Sequence, residues 1–420
     1  MARFKIVGAT PLVGNVKISG AKNEALKAVA LSLNIKNKLK ITNAPQILDV
    51  VNQGKILKST GSIINICNNN EIIIDTTYAN NFDLTDTIAG KLRASIVFAG
   101  PLLARFKSVK LPYPGGCLIG CRSIDTHLDA FRQIGAKISE HKRIFSINID
   151  EFHDSNIILK EKSVTATENI VMFASAIAVK TKIDNCAIEP EIIHLLLNLQ
   201  KAGAQIDGIG TRTLIIKGSQ NLKLKTYEII TDRIEAGTFV CAMISSGGEG
   251  EVSPYPADQL ESFTRLIKST GANFDIIDNK AIIKQSRFPL KPFSLKTGPF
   301  PEFPTDLQSP MSLLALRAKG VSLFVETMFE NRLSYLEILR KMGASIKIID
   351  RQTAEINGPC KLRSANIESL DLRSGITLLL AATMSEGETF IEKAEIIDRG
   401  YEKIDEKLKL LGANIERINS

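Results

Sequence analysis

The sequence predicts an α/β protein in which six copies of one repeated unit form two pseudo-threefold domains. The first observation is a signature in which an amphipathic helical run ends at a glycine and alternating apolar residues follow. It recurs at intervals of 74, 68, 68, 72 and 69 residues, with its glycine at Gly61, Gly135, Gly203, Gly271, Gly343 and Gly412. A fixed period of this size is typical of internal duplication. The second observation is the length of 420 residues, which allows at least two domains with full cores.

Each part of the repeat is predicted from residues that are close together in the chain. A glycine after the last helical turn adopts the left-handed conformation that closes a helix. The alternating segment SIKIID after Gly343 indicates a strand. A second helix in each repeat has a polar first turn, called its polar opening. The rest of this helix is rich in apolar residues, alanine and serine, which predicts burial on most sides. These six second helices are expected to begin at Ala21, Leu92, Ala166, Asp232, Asp306 and Asp371.

The polar openings of the second helices favour an anionic ligand. Helix N-termini carry partial positive charge and free N–H groups, so a cleft that several of them face suits an anion. Cations lie at or near four of these openings and in two glycine-containing segments: Lys22, Arg93, Arg233, Arg373, Arg122 and Arg399. For any single arginine, a surface ion pair is the simpler interpretation. Asp232 and Asp371 are equally explained as helix N-caps.

Composition excludes some classes of protein and leaves others open. The net charge is +8, but the 53 basic residues are mixed with 45 acidic ones and aromatic residues make up only 6%. This dispersion favours a solvated surface or a small anionic ligand over a nucleic-acid interface. No apolar run approaches the roughly 18 residues of a membrane span, and the N-terminus lacks the apolar core of a signal peptide. The six cysteines are scattered, which is typical of reduced cytoplasmic thiols, and the four histidines show no metal-site spacing.

The segment PYPGGCLIGCRSID, at Pro112–Asp125, is the main candidate for chemistry. Glycines around Cys117 allow close approach of the backbone to a ligand, and the prolines stop a helix from entering. Arg122 follows the thiol by five residues. A nearby cation favours the reactive thiolate. The alternative is a surface turn with an incidental cysteine.

Ten segments together resemble one known family. They are ISGAKN (Ile18–Asn23), LRASI (Leu92–Ile96), GPLLARF (Gly100–Phe106), PGGCLIGCRSID (Pro114–Asp125), TENI (Thr167–Ile170), DRIEAGTF (Asp232–Phe239), FPTDLQ (Phe303–Gln308), FENR (Phe329–Arg332), DLRSG (Asp371–Gly375) and DRGYEKIDEKLKLLGA (Asp398–Ala413). In this combination and order they resemble the UDP-N-acetylglucosamine 1-carboxyvinyltransferases, also called UDP-N-acetylglucosamine enolpyruvyl transferases. The resemblance covers essentially the whole chain.

The resemblance implies a fold and a domain organisation. The family has an inside-out α/β barrel of two domains, each with three βαβ-type repeats, which agrees with the six repeats counted above. In the family the first domain is interrupted by the second. We therefore expect one domain of residues 1–21 and 232–420 and another of residues 22–231, with hinges near Lys22 and Asp232.

The resemblance also implies a reaction. The family transfers the enolpyruvyl group of phosphoenolpyruvate to the 3′-hydroxyl of UDP-N-acetylglucosamine and releases phosphate, by addition and elimination through a tetrahedral intermediate. This is the first committed step of peptidoglycan synthesis. By resemblance, Cys117 protonates C3 of phosphoenolpyruvate, forms a covalent adduct with it and is the target of fosfomycin. Asp306 is the candidate base for the sugar hydroxyl, with a helix N-cap as its alternative role.

The remaining site residues are also implied by resemblance. The phosphate and carboxylate of phosphoenolpyruvate would be held by Lys22, Arg93, Arg122 and Arg399, since anionic groups suit fixed cationic donors. Asn23 would contact the sugar and the intermediate, while Asp371 and Arg373 would support the site. The nucleotide-sugar side would be lined by Asp125, Ser163, Val164 and Met328.

Two departures from the family lie in the nucleotide region. The family commonly has Arg-Pro-Val-Asp where this chain has Arg122-Ser123-Ile124-Asp125, and Ser-Val-Gly where it has Ser163-Val164-Thr165. Loss of the proline and the glycine is expected to affect loop rigidity and nucleotide affinity rather than the chemistry.

Two other functions remain open. One is the related 5-enolpyruvylshikimate-3-phosphate synthase, which shares the fold and phosphoenolpyruvate but lacks the Gly-Gly-Cys loop. The other is a non-catalytic paralogue that regulates or binds nucleic acid, which only the charge of +8 favours. We expect a cytoplasmic monomer that uses two small-molecule substrates, without a cofactor, metal, nucleic acid or membrane.

Overall fold

A computed structural model of the protein describes residues 2–115 and 123–419, which divide into two compact units. Unit 1 contains residues 2–19 and 231–419, and unit 2 contains residues 20–115 and 123–230. Each unit has its own cluster of buried apolar side chains. Each therefore has the separate hydrophobic core that defines a domain.

The strands of the described residues are short, and most have three to six residues. In chain order they are β1 Ala2–Val7, β2 Val13–Lys17, β3 Leu39–Thr42, β4 Ile63–Cys67, β5 Glu71–Asp75, β6 Ser108–Pro112, β7 Lys137–His141, β8 Ile144–Asn148, β9 Ser155–Ile158, β10 Lys180–Asp184, β11 Gln205–Asp207, β12 Thr213–Lys217, β13 Thr226–Glu228, β14 Glu249–Ser253, β15 Phe274–Ile277, β16 Lys280–Ile283, β17 Ser294–Lys296, β18 Gly320–Val325, β19 Ile346–Ile348, β20 Thr353–Gly358, β21 Asn366–Glu368, β22 Glu388–Glu392 and β23 Asn414–Asn419.

Two kinds of α-helix alternate along the chain. In chain order they are α1 Lys22–Leu31, α2 Leu48–Lys58, α3 Ala99–Phe106, α4 Asp125–Gln133, α5 Val164–Ser175, α6 Pro190–Ala202, α7 Arg233–Ser246, α8 Glu261–Ser269, α9 Gln308–Ala315, α10 Tyr335–Lys341, α11 Leu372–Met384 and α12 Ile404–Leu410. The odd-numbered helices are the predicted second helices, and the even-numbered ones are the amphipathic runs that end at the repeat glycines.

The strands form three sheets in each unit among the described residues. In unit 2 the strand orders are β11-β12-β10-β9, β13-β3-β5-β4 and β6-β8-β7. In unit 1 they are β21-β22-β1-β23, β15-β16-β14-β2 and β17-β18-β20-β19. Each four-stranded sheet has one parallel pair at its edge, as β10 with β9 and β18 with β17, and its other pairs are antiparallel. A parallel pair needs a crossover, which α5 supplies between β9 and β10, α9 between β17 and β18, and α11 between β21 and β22.

The repeat glycines have the predicted conformation. All six have positive φ, from 79° at Gly271 to 118° at Gly203. At Gly135, Gly203, Gly271 and Gly412 no atom lies within 4 Å of where a Cβ would stand. Backbone conformation rather than lack of space therefore requires glycine there. In every repeat a strand follows within three residues of the glycine, as predicted.

Burial of the second helices is also confirmed. All eight residues of α9 and all but the last residue of α7 are buried. By contrast, α8 buries only Phe263 and Ile267, and α12 buries only Ile404 and Leu408. The structure thus packs one largely buried and one amphipathic helix into each repeat. Among the described residues, no helix combines the length and apolar character of a membrane span.

Two predicted helix starts are wrong. The segments after Leu92 and before Gln308 form 3₁₀ turns, Arg93–Phe98 and Thr305–Leu307, and the α-helices begin only after them. Pro101 and Pro310 each occupy the third position of the α-helix that follows. Proline lacks an N–H group, so it is tolerated in the first turn and breaks an α-helix further in. Helix α5 instead begins two residues early, because Ser163 caps it.

Candidate active site

Cys117 and Arg122 lie outside the described residues. The thiol and its cation therefore stay predictions from the sequence and the resemblance. The other proposed site residues fall into one group on each unit.

In unit 2, Lys22 is the first residue of α1 and is held by an ion pair. Its Nζ lies 2.8 Å from Oδ2 of Asp49, in the first turn of α2, and both side chains are largely buried. Asn23 follows and is half-buried. A charge-assisted contact in a mostly buried position fixes the direction of the ammonium group. The start of α1 thus presents an oriented cation next to an amide.

Arg93 begins the 3₁₀ turn in the second repeat and contacts the segment before α4. Its Nη2 donates to the backbone oxygen of Ser123 at 3.0 Å. The hydroxyl of Ser123 accepts a hydrogen bond from the N–H of Asp125 at 2.9 Å. Serine at 123 therefore supplies a local side-chain turn where a proline would have restricted the backbone. Asp125, the first residue of α4, is exposed.

Ser163 and Val164 form the start of α5. The Ser163 hydroxyl accepts from the N–H of Ala166 at 3.4 Å, a helix N-cap. Thr165, the second departure from the family, has its Oγ1 3.0 Å from Nε2 of His127 in α4. No local sequence pattern predicts this contact, because the two residues are 38 positions apart.

In unit 1, Asp306 and Arg373 are brought together. Oδ2 of Asp306 lies 2.9 Å from Nη2 of Arg373, and Oδ1 lies 2.6 Å from Nη2 of Arg332. The side chains of Arg373 and Arg332 are 5% and 3% exposed, whereas that of Asp306 is 24% exposed. Burial disfavours the charged form of Arg373, but Asp306, Tyr401 and Asp232 together outweigh it, so the pKa of Arg373 is raised above its ordinary value. A surface ion pair is therefore the wrong description of Arg373.

The N-cap alternative for Asp306 is also wrong. Asp306 lies inside the 3₁₀ turn, and α9 begins after Leu307 without a side-chain cap. Its carboxylate instead neutralises two buried guanidinium groups and keeps an exposed edge. The two arginines fix the direction of the carboxylate, and its exposed edge stays accessible to a group that donates a proton.

Asp371 and Asp232 do act as N-caps. The carboxylate of Asp371 accepts from the N–H groups of Arg373 and Ser374 at 2.9 and 3.2 Å. Asp232 accepts from the first turn of α7 in the same way. The cap formed by Asp371 also orients the first turn of α11, which carries Arg373. Asp371 is thus connected to Asp306 through Arg373.

Glu326 links two more segments of the group in unit 1. It is fully buried, accepts from the Thr305 hydroxyl at 2.9 Å and accepts from the N–H of Met328 at 2.8 Å. The turn that precedes Asp306 and the turn that carries the partly exposed Met328 are thereby held by one carboxylate. Glu326 and Arg332 were not predicted from the sequence, although Arg332 lies in the FENR segment.

Arg399 ends the 3₁₀ turn Ala394–Arg399 and is half-buried. The preceding Asp398 accepts two hydrogen bonds from Arg417, at 2.9 and 2.7 Å. This two-point contact anchors the turn to β23 and so limits where Arg399 can lie.

Comparison with known proteins identifies relatives of the whole chain. The model of the EPSP synthase (3-phosphoshikimate 1-carboxyvinyltransferase) family matches residues 6–408. The UDP-N-acetylglucosamine 1-carboxyvinyltransferase of Campylobacter fetus subsp. fetus is 40% identical over 422 residues, and the enzyme named UDP-N-acetylglucosamine 1-carboxyvinyltransferase 2 of Mesorhizobium japonicum is 38% identical over 421 residues. Both matches cover 100% of each chain.

The solved structures show the fold. The enolpyruvyl transferase NikO from Streptomyces tendae superimposes with a TM-score of 0.89 at 21% identity, covering 100% of this chain and 99% of that one. The expected α/β fold of enolpyruvyl transferases is therefore confirmed. With full-length identity near 40% to proteins of that name, the chain belongs to the UDP-N-acetylglucosamine 1-carboxyvinyltransferases, within the family that the EPSP synthase model describes.

Proposed function

We propose that this protein transfers the enolpyruvyl group of phosphoenolpyruvate to the 3′-hydroxyl of UDP-N-acetylglucosamine and releases phosphate. The observation that carries the proposal is the full-length match, at 38–40% identity, to relatives named for this reaction. We also propose that it works as a cytoplasmic monomer in cell-wall synthesis, and so in cell division and cell shape, and that fosfomycin inhibits it.

Asp306 is proposed as the base that accepts the proton of the sugar hydroxyl. The arrangement supports this role, because the carboxylate is held at both oxygens by Arg332 and Arg373 and still keeps an exposed edge. A fixed and accessible carboxylate is suited to take a proton as the hydroxyl attacks C2 of phosphoenolpyruvate. Asp371 and Arg373 are proposed to support this position.

Cys117 is proposed to deliver the proton to C3 of phosphoenolpyruvate, which completes the addition. In the elimination that follows, a proton leaves C3 as the bond from C2 to the phosphate oxygen breaks, and cations stabilise the leaving phosphate. The cations proposed for phosphoenolpyruvate are Lys22, Arg93, Arg122 and Arg399. The ion pair of Lys22 with Asp49 and the bond from Arg93 to Ser123 support these roles, since both hold the cation in a defined direction.

The nucleotide sugar is proposed to contact Asn23, Asp125, Ser163, Val164 and Met328. Asp125 and Val164 are the first residues of α4 and α5, where backbone N–H groups lack partners within the helix. Such positions suit the diphosphate and the polar edge of a nucleobase.

An acceptor assay tests the proposed function. Phosphate release from phosphoenolpyruvate is measured with the full chain and either UDP-N-acetylglucosamine or shikimate 3-phosphate as acceptor. We expect release only with the nucleotide sugar. Release with shikimate 3-phosphate would assign the chain to the EPSP synthase reaction, and no release with either would favour a non-catalytic paralogue.

A pair of cysteine variants adds a matched control. Cys117→Ser is expected to lose most of the phosphate release, whereas Cys121→Ser, four residues further on, is expected to retain it. If both variants behave alike, the thiol at 117 has no special role in the reaction.

A further inference from the structure

Thr165 makes a contact that connects two helices of the proposed nucleotide site. It is the second residue of α5, directly after Ser163 and Val164, and its Oγ1 lies 3.0 Å from Nε2 of His127. His127 is the third residue of α4, two positions after Asp125, and only 2% of its surface is exposed. The hydrogen bond therefore joins the first turns of α4 and α5.

The direction of this hydrogen bond follows from Asn169. The Oδ1 of Asn169 accepts from the N–H of Gly100 at 2.6 Å, so its other amide atom is the donor nitrogen. That nitrogen lies 2.7 Å from the oxygen of Ile96 and 3.1 Å from Nδ1 of His127. Nδ1 must then accept, which places the ring proton on Nε2. The His127 Nε2–H consequently donates to the Thr165 hydroxyl.

The ring of His127 stays neutral in this setting. Burial, with a smaller contribution from the charge of Arg93, lowers the pKa of His127 to about 3. The buried Nε2–H is a donor that needs an acceptor, since an unpaired buried donor is costly. Glycine at position 165 has no side-chain atom that could accept it.

Hydrogen bonds connect the half-buried Thr165 through the buried His127 to the buried Asn169. Asn169 also holds the backbone at Ile96, inside the 3₁₀ turn that begins with Arg93. These hydrogen bonds thus connect three segments that each begin at a residue proposed to bind substrate. A second contact near them, from the Thr126 hydroxyl to Glu161 at 3.1 Å, also links α4 to the residues before α5.

We propose that Thr165 is a positioning residue for the nucleotide sugar, which holds the first turns of α4 and α5 at a fixed separation through His127. The inference rests on the proposed function. Thr165 has no part in the chemistry itself, so its loss weakens binding of UDP-N-acetylglucosamine and leaves the turnover of bound substrate close to that of the wild type. Because Thr126 still contacts Glu161, we expect α4 and α5 to loosen rather than separate.

Thr165→Val tests the proposal, since it keeps the shape of the side chain and removes the acceptor. Calorimetry is expected to show a dissociation constant for UDP-N-acetylglucosamine about five- to tenfold higher, the effect of one lost buried hydrogen bond. The KM for UDP-N-acetylglucosamine should rise by a similar factor. Because the contacts of Asn169 remain in the variant, kcat and the KM for phosphoenolpyruvate should change less than about twofold. Thr165→Ser should restore wild-type binding.

The control is Thr181→Val, in β10 of the same unit. The Thr181 hydroxyl is buried and has no hydrogen-bond partner among the described residues. The same substitution there should leave binding of the nucleotide sugar unchanged. A ¹⁵N-histidine spectrum gives an independent measure, because the chain has only four histidines. We expect the His127 signals to show the Nε2–H tautomer in the wild type and to shift in Thr165→Val.

The outcomes separate the two proposals. If the wild type binds UDP-N-acetylglucosamine and Thr165→Val binds it equally well, Thr165 has no positioning role. If Thr165→Ser, which keeps the hydroxyl, binds the nucleotide sugar as weakly as Thr165→Val, the hydroxyl alone does not hold the two helix starts and the hydrogen-bond account is overturned. If the wild type itself neither binds the nucleotide sugar nor releases phosphate with it, the proposed function is what has failed.

Discussion

Replacing Asp306 with asparagine tests the best-defined part of the site. The substitution keeps the size of the side chain but removes the charge that Arg332 and Arg373 share. It also turns one of the two acceptor oxygens into an N–H donor, which then faces a guanidinium group 2.6 or 2.9 Å away. The variant therefore loses the proposed base and leaves two buried guanidinium groups without that compensating negative charge.

The expected losses of turnover and of stability can both be given a magnitude. Loss of a general base lowers turnover by roughly 10²–10⁴-fold, which corresponds to about 2.7–5.5 kcal/mol of barrier. Loss of one partner of a buried charge pair costs about 3–5 kcal/mol of stability. The Asp306 side chain is 24% exposed, so water and ions reach it in part. We therefore expect the lower end of that range, about 3 kcal/mol.

The assay measures phosphate release, the dissociation constant for UDP-N-acetylglucosamine and the urea midpoint of unfolding. We expect turnover at least about 100-fold lower, a clearly lower midpoint and retained binding of the nucleotide sugar. Asp405→Asn is the control, because Asp405 also contacts an arginine, Arg417 at 3.2 Å, in the same unit. That variant should lose stability and keep turnover.

Two results would refute the reasoning. Turnover near the wild-type rate in Asp306→Asn would mean that the base lies elsewhere. An unchanged urea midpoint would mean that the carboxylate does not compensate the buried guanidinium groups of Arg332 and Arg373.

Three further predictions concern the thiol and two buried titratable groups. Fosfomycin should alkylate Cys117, and Cys117→Asp should stay active yet resist the drug, since it keeps a proton donor without a nucleophilic sulfur; mass spectrometry that finds the adduct on Cys121 would contradict this. His127 has a pKa lowered to about 3 by burial and by Arg93, so it should not titrate between pH 5 and 8 in ¹⁵N spectra. Its contribution to stability is present above its ordinary value of 6.5 and is lost as pH falls towards 3, by up to roughly 1.4 kcal/mol per pH unit. Burial raises the pKa of Glu235, an effect that Lys407 at 2.6 Å partly offsets. The contribution of Glu235 to the free energy of unfolding is therefore present below about pH 4.5 and is lost as pH rises. Lys407→Met should lower unfolding stability by about 3–5 kcal/mol, with a greater loss at pH 8 than at pH 5; equal loss at both values would rule out Glu235 as the cause.

The repeats could be predicted because each depends on local chemistry. A helix that ends at Gly203 or Gly412 needs a residue that tolerates positive φ, and glycine does so wherever the segment lies in the fold. The apolar bodies of the second helices likewise require burial whatever packs against them. The caps at Asp232 and Asp371 are local too, since each carboxylate bonds N–H groups two and three residues further on.

The start of α9 shows where local patterns misled. Asp306 precedes a helical segment and looks like a cap, but Pro310 delays the α-helix and leaves Asp306 in a 3₁₀ turn. The carboxylate is then free to pair with Arg332 and Arg373, which are 26 and 67 positions away. A charge pattern along the chain carries no information about such pairs.

The sequence by itself thus determined the repeat, its turns and its buried helices, because these follow from interactions between residues close together in the chain. Tertiary structure alone decided the partners of the proposed site residues: Asp49 for Lys22, Arg332 for Asp306, and His127 for Thr165. The physical reason is that a polar side chain is satisfied by whichever group folding brings within about 3 Å, and the chain order of the two groups does not constrain that choice.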